Sequence, residues 1–325
     1  MPEAVPGASP QVVVIGSVNI DHVVVADAFP SPGETLLGRT AYVTLGGKGA
    51  NQAAAAASGG VRTAMIARVG EDAEAGRARA RLVAGGVDVD AVTTVSGTET
   101  GTAWITTAAG DNTIVVVAGA NHQWPSEGDP TEGLGAQAAV VLAQLEIPLD
   151  VVRRAADACR GRFLLNAAPA AELPDDLIAR CDVLIVNEHE QAVVSGQSAT
   201  DGAEEAEGTP ETAAIRKAHD ALRARGAKAV VTTLGEAGAV VTDADGVSTA
   251  LPAVPATVVD TTGAGDAFAG VLAARLAAGD SLLDAARLGI AAGSMAVRVS
   301  GAPQQYADLA TLRALAPTTP PTDKD

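Results

Sequence analysis

The sequence has 325 residues, 47% of them hydrophobic, with 22 basic against 39 acidic side chains and a net charge of −17. An acidic excess without any basic run excludes nucleic acid and anionic membrane surfaces as partners, since both demand a cationic face. Two Trp, two Tyr and three Phe are the only aromatics, so the core falls to Val, Leu, Ile and Ala, as suits a parallel sheet covered by helices on both faces.

Residues 1–10 are Pro-rich, lack the charged and apolar regions of a signal peptide, and read as a disordered leader. Residues 11–16 (QVVVIG) form a buried first strand. Residues 17–44 hold short apolar runs around a Pro/Gly cluster at 30–33, with no helical period, and read as a strand-rich excursion. Residues 46–57 pass from a glycine turn into an alanine helix. Residues 63–69 are strand-like and 73–84 helical, stopped by Gly85-Gly86. Residues 102–107 and 113–117 pair as a hairpin across 109–112. With the excursion they pair into one small sheet outside the main domain, built from about 17–44 and 101–121.

From Ala138 the chain alternates regularly. Strands are expected at 140–145, 163–166, 183–186 and 229–233, and helices at 149–159, 213–225 and 266–278. Such alternation implies βαβ units and a mostly parallel sheet with right-handed crossovers. Residues 198–211 read as an acidic exposed loop and 317–325 as a disordered tail, so one domain spans 11–316. Cys159 and Cys181 have neither metal-ligand nor disulfide-framework spacing and read as small buried hydrophobes. No apolar stretch reaches the roughly 20 residues needed to span a bilayer, and the expected location is cytoplasmic.

Two glycine-rich segments carry the chemistry. Gly46-Gly47-Lys48-Gly49-Ala50-Asn51-Gln52 opens the alanine helix. Asp260-Thr261-Thr262-Gly263-Ala264-Gly265-Asp266 opens a helix on which Phe268, Val271, Leu272 and Leu276 share one face. The unpaired N–H groups of a glycine-led helix start suit a phosphate, or charge developing on one. An aspartate there repels a bound anion, but fits a base that accepts the proton of an attacking hydroxyl. Taken singly, Asp266 reads equally as a first-turn helix acid, and the first segment as a turn packed under a helix. Neither segment is a Walker A loop or a dinucleotide fingerprint.

Together the two segments resemble the signature regions of ribokinase-like (PfkB-type) carbohydrate kinases, with GGKGANQA in the form typical of ribokinases. The likeness runs from Gln11 to about Tyr306 and includes GSVNID at 16–21, FPSPGET at 29–35, GAN at 119–121, QLE at 144–146, NEHE at 187–190 and TLG at 233–235. It implies a three-layer αβα core with a small β-sheet lid, and phosphorylation of D-ribose by ATP. It implies sugar contacts from Asn19, Asp21, the Gly47 backbone, Lys48, Asn51 and Glu146, with Asp266 as base and the Gly263-Ala264-Gly265 backbone stabilising the phosphoryl group.

For ATP and Mg²⁺ the resemblance implies Asn187 and Glu190, the latter through water, with Thr233 and Gly235 lining the nucleotide site. For an activating K⁺ or similar ion it implies Asp260, the Thr262 carbonyl and carbonyls around Ala296, Val299 and Gly301. Residues 302–305 match the family poorly, so the resemblance supports no side-chain cation ligand there. A homodimer through the lids is also implied. His22 and His189 adjoin motifs without a chemical task, and His122 and His219 read as surface residues. Two alternatives stay open: a related kinase of deoxyribose, a ketohexose or adenosine, or a non-catalytic sugar-binding protein. Phe29, Tyr42 and Trp104 are the few aromatics a nucleoside base could stack on.

Overall fold

The computed structural model describes residues 9–108, 111–196, 210–303 and 305–316. Most of the expected leader, the bulk of the acidic loop, part of the hairpin turn and the tail lie outside the described residues. In chain order the elements are β1 (Val12–Ile15), β2 (Asn19–Val25), β3 (Thr40–Gly46), α1 (Lys48–Ser58), β4 (Thr63–Gly70), α2 (Ala73–Ala84), β5 (Val87–Asp88), β6 (Val92–Val95), β7 (Gly101–Ala108) and β8 (Asp111–Val117). They continue with α3 (Leu134–Gln137), β9 (Val140–Ala143), α4 (Leu149–Ala158), β10 (Arg162–Asn166), α5 (Asp175–Ile178), β11 (Val183–Asn187), α6 (Glu188–Ser195), α7 (Pro210–Ala224), β12 (Val230–Thr233), β13 (Ala239–Thr242), β14 (Ser248–Leu251), α8 (Ala264–Ala277), α9 (Leu282–Ala296) and α10 (Leu309–Leu315).

The main sheet runs β14-β13-β12-β11-β10-β9-β1-β4-β5, with β6 also on β4. It is parallel from β5 to β12, and only β13 and β14 pair antiparallel. Both faces are buried, as the period of two in β1 makes plain. Val12 and Val14 join one apolar cluster with α1, α2, α8 and α9. Val13 and Ile15 join another with α4, α5 and Leu222 of α7. The result is the α/β three-layer core expected from the alternation of strands and helices.

A second sheet, ordered β3-β2-β7-β8, stands apart. β2 pairs antiparallel with β3 and parallel with β7, and β7 with β8 closes the hairpin. His22 stacks on Trp104 across the β2–β7 pair, rings 4.4 Å apart. No helix of the described residues is long and apolar enough to cross a membrane.

Sequence reasoning assigns no element to β13, β14 or α9. The two strands have only four residues each, and α9 is too uniformly small and apolar to display a period. Two assignments are wrong. Cys159 is only half-buried, whereas Cys181 is buried as expected. His219 is not a surface residue but fully buried. It lies on the α7 face that also buries Ile215 and Leu222, four residues before and three after it, and this helical spacing is the signal that could have placed it inside. Its Nε2 lies 2.7 Å from Thr232 Oγ1 and its Nδ1 2.6 Å from Thr242 Oγ1. Thr232 donates onward to Gln191 Oε1, so it must accept from Nε2–H, leaving Nδ1 as an acceptor in a neutral ring.

Burial pushes the His219 pKa down to about 4 from 6.5. The unfolded chain therefore binds the proton first, and the stability this ring contributes is complete above pH 6.5 and lost as pH falls toward 4. Denaturant titrations at about pH 7.5 and pH 5 are expected to differ by about 2 kcal/mol through this one group. His219→Gln should flatten that difference, and an unchanged slope would contradict the assignment.

Candidate active site

The site begins where the small sheet meets the core. Asn19 and Asp21 are two apart on β2 and point to one face, both nearly buried. Opposite Asn19 in register stands Gly46 at the end of β3. A Cβ at position 46 would stand 2.1–2.2 Å from the Asp21 carboxylate, so the glycine is a cut-out that admits that side chain. Asn19 Oδ1 accepts from Asn121 Nδ2 at 2.7 Å, and Asn121 Oδ1 accepts from Val18 N at 2.9 Å. These bonds tie the end of the hairpin excursion to the start of β2.

Gly46→Ala is expected to displace the Asp21 carboxylate and, with Asp21 contacting a sugar as the family resemblance implies, to weaken sugar binding at least about tenfold. The thermal transition should stay cooperative. Calorimetry with the sugar checks this, and unchanged affinity would remove Asp21 from the site.

α1 starts at Lys48 behind Gly47, which adopts φ 88° and supplies no side-chain cap. Glu146 does that work from the loop after β9. Its Oε2 accepts from Lys48 N at 3.0 Å and from Ser17 Oγ at 2.5 Å, placing a carboxylate at the positive end of the helix.

α8 likewise starts behind a glycine without a side-chain cap, Gly263 at φ 79°. Asp266, in its first turn, is 6% exposed. Asn51 Nδ2 donates to its Oδ2 at 3.0 Å and Gln52 Nε2 to its Oδ1 at 2.9 Å. α1 and α8 come close enough for this because Gly270 faces α1: a Cβ there would meet the Gln52 carbonyl at 2.4 Å.

The electrostatics are crowded. Burial, with the nearby Glu146 and Asp266 charges, pushes Asp21 up to about 7. Burial also pushes Asp266 up, against the Lys48 charge and the Asn51 and Gln52 amides, and the net displacement is upward. Burial opposes the charge of Lys48, but Asp266, Glu146 and Glu190 outweigh it and hold the ammonium above its ordinary range. One cation thus sits among several carboxylates, an arrangement suited to a polyhydroxyl ligand beside a phosphate.

Beyond Lys48 and Asp266 opens a cleft of about 1060 Å³. Asn187, Glu190, Thr233, Gly235 and the Gly263–Asp266 turn line it, with Pro252, Val254, Phe268, Ile290 and Val297 as apolar wall. It lies at the C-terminal edge of the parallel strands, the usual ligand edge of such sheets. Asn187 and Glu190 form a reciprocal capping box on α6, each accepting from the other's backbone N–H at 2.8 Å.

Beside the α8 turn, Asp260 Oδ1 accepts from Thr262 N at 2.9 Å and Oδ2 from Gly301 N at 2.8 Å. Burial works to raise the Asp260 pKa, yet those backbone donors hold it below its ordinary range. Val297 O accepts from Val259 N and Asp260 N, so the Asp260–Thr262 and Ala296–Gly301 segments lie side by side.

The residues that sequence reasoning assigned to sugar and phosphate therefore converge, and five others join them without an assigned role: Ser17, Gln52, Asn121, Gln144 and Asn166. Four of these lie inside or beside recognisable motifs, so position was their signal. Asn166 ends β10, where strand-edge polarity was the only hint.

The family model of pfkB family carbohydrate kinases matches residues 9–307. The chain belongs to the pfkB family of carbohydrate kinases. It is similar to the ribokinase of Bacillus subtilis, with 37% identity over 297 residues, 89% of this chain and 93% of that protein. A bifunctional ribokinase/ribose-5-phosphate isomerase A of Fructilactobacillus sanfranciscensis is 37% identical over 299 residues; the match covers 90% of this chain and 53% of that protein. The structure of Arabidopsis thaliana ribokinase complexed with ribose and ATP superposes with a TM-score of 0.83 at 32% identity, covering 94% of this chain and 98% of that one. The pfkB fold thus accounts for both sheets and for the cleft at the C-terminal edge of the larger one.

Proposed function

We propose that this pfkB kinase transfers the γ-phosphoryl group of ATP to the 5-hydroxyl of D-ribose, with Asp266 as general base. The observation that carries the reading is the buried Asp266 carboxylate at the N-terminus of α8, at the junction of the polar cluster and the cleft. Ribose lies against Asn19, Asp21, the Gly47 backbone, Lys48, Asn51 and Glu146, whose short acids and amides pair with its hydroxyls. ATP lies along Asn187, Glu190, Thr233 and Gly235. The hydroxyl proton passes to Asp266 as its oxygen attacks the γ-phosphorus in line, and ADP leaves. The Gly263-Ala264-Gly265 backbone and the α8 dipole stabilise the charge on the transferring group. The small sheet acts as a lid over the sugar, keeping water from the acceptor's place.

Among the described residues no three His, Cys, Asp or Glu side chains are grouped to hold a metal ion. Glu190 would hold a Mg²⁺ through water, and the ion would neutralise charge on the ATP phosphates. The all-oxygen set of Asp260 and the carbonyls of Thr262, Ala296, Val299 and Gly301 fits K⁺ or a similar monovalent ion, which would steady the α8 turn. ATP chemistry and two free cysteines support a cytoplasmic setting.

Two copies associate through the small sheets. β8 is an edge strand exposed along its whole length, with Ile114, Val115, Val116 and Val117 outward. Val115→Lys is expected to turn a dimer into a monomer in sedimentation equilibrium, and a monomeric wild type contradicts the pairing. The reaction itself is tested by phosphorus NMR of the product from ribose and ATP. A phosphate ester on the primary carbon is expected, and one on the anomeric carbon would overturn the 5-hydroxyl assignment.

A further inference from the structure

Behind Asp266 lies a chain of buried amides whose last member, Asn166, borders the cleft. Gln52 and Gln144 are fully buried and Asn166 is 7% exposed. Asn166 Nδ2 donates to the carbonyl of Ile185 at 3.2 Å, which turns its Oδ1 toward Gln52. Gln52 Nε2 donates both to that Oδ1 and to Asp266 Oδ1, each at 2.9 Å. Gln52 Oε1 in turn accepts from Gln144 Nε2 at 2.7 Å.

Ile185 O and Asp266 fix the directions of Asn166 and Gln52, and Gln52 in turn fixes that of Gln144. A flipped Gln52 would set its oxygen against both the Asn166 oxygen and the Asp266 carboxylate, and its NH₂ against that of Gln144. Gln144 Oε1 has no partner, and a Cβ at Gly16 would stand 1.9 Å from it. Gly16 therefore makes room for a Gln144 whose one unpaired oxygen is tolerated so that its amide N–H can face Gln52. A core built for stability alone would fill this space with apolar side chains, since buried amides at best repay their desolvation.

We infer that the Gln144–Gln52 pair is a positioning relay that clamps Asp266 Oδ1 and reserves Oδ2 as the atom that takes the sugar proton. The relay rests on Asp266 being the base proposed above. Oδ2 is the oxygen bonded to Asn51, a half-buried residue assigned to the sugar, whose donor can move to a hydroxyl when ribose arrives. Oδ1 has no such exchange, because Gln52 is sealed from the ligand. In the transfer, the hydroxyl O–H bond breaks and its proton goes to Oδ2. The hydroxyl oxygen bonds to the γ-phosphorus as the bond from that phosphorus to the ADP oxygen breaks.

Gln52 also sets the acidity of the base, since a donor to the carboxylate favours its ionised form. The other groups facing Asp266 are Lys48 from α1, Glu146 after β9, Asp21 on β2, Glu190 on α6 and Tyr306 before α10. Gln52→Met alters none of them. It keeps the shape and removes the donor.

The test is the pH profile of kcat/KM for ribose in wild type, Gln52→Met and Gln144→Met, with ribose affinity measured by calorimetry. In Gln52→Met the acid limb should move up by about one pH unit and kcat should fall about 10–100-fold, while ribose affinity stays within about threefold. Gln144→Met, which frees the Gln52 amide without touching the base, should move the limb the same way by less. If Gln52→Met does not fold, Gln144→Met alone carries the test. A folded variant with a lower melting temperature but the wild-type acid limb and kcat would overturn the relay and make these amides purely structural. Asp266→Asn, run alongside, separates the two claims: if it stays active the base reading fails whatever Gln52 does.

Discussion

Asp266→Asn is expected to lower turnover by about 10²–10⁴-fold while ribose binding survives within several-fold. The range is that of a general base removed from a proton transfer, and phosphoryl transfer leaves most of the remaining acceleration to positioning and charge. The amide can keep its oxygen toward Gln52, where Asp266 Oδ1 now accepts. Its NH₂ then meets Asn51, which rotates its own amide to present an oxygen. The variant also loses a buried carboxyl whose pKa burial pushes upward, so its melting temperature should not fall. Single-turnover ADP formation and calorimetry together check this. Loss of ribose affinity in step with turnover would make Asp266 a sugar ligand, not the base.

Asp21→Asn should move stability and binding in opposite directions. The Asp21 pKa is about 7 in the fold against 3.8 as a reference, so the folded state favours the neutral acid. Its contribution to stability is complete below 3.8 and lost as pH rises through 7. At about pH 8 the ligand-free protein holds a desolvated, crowded carboxylate, and replacing it with an amide should stabilise the fold by roughly 1–3 kcal/mol. Ribose affinity should fall about 10–100-fold, the size of a hydrogen bond to a charged acceptor. Denaturation curves with and without ribose measure both. A variant that is less stable without the sugar would contradict this account of the site as strained toward its ligand.

The core was legible because its residues obey two periods at once. A run such as Val12–Ile15 cannot be exposed on either face, and the helices between the strands keep an apolar stripe, so the three layers and the parallel sheet followed. Asp266 and Lys48 were legible through the paired glycine segments that hold them, because an acid in the first turn of a helix is ordinary by itself.

What escaped was set by neighbours distant in sequence. Gln52 reads as one more residue of an alanine helix until Asn166, Gln144 and Asp266 are brought around it. Gly46 matters only because Asp21 swings across from the adjoining strand. The His219 side chain is a buried hydrogen-bond hub only because β13, too short to register, places Thr242 opposite. Glu146, expected at the sugar, also caps α1, a task visible only once Gly47 is seen to lack a cap.

The most direct test of the central claim is steady-state ADP formation from MgATP with D-ribose, 2-deoxyribose, fructose, adenosine or no acceptor, each with and without K⁺. Turnover is expected to require ribose above the other acceptors, to rise with K⁺ and to disappear in Asp266→Asn. Turnover led by another acceptor would contradict the ribose assignment, and none with any acceptor would contradict catalysis itself.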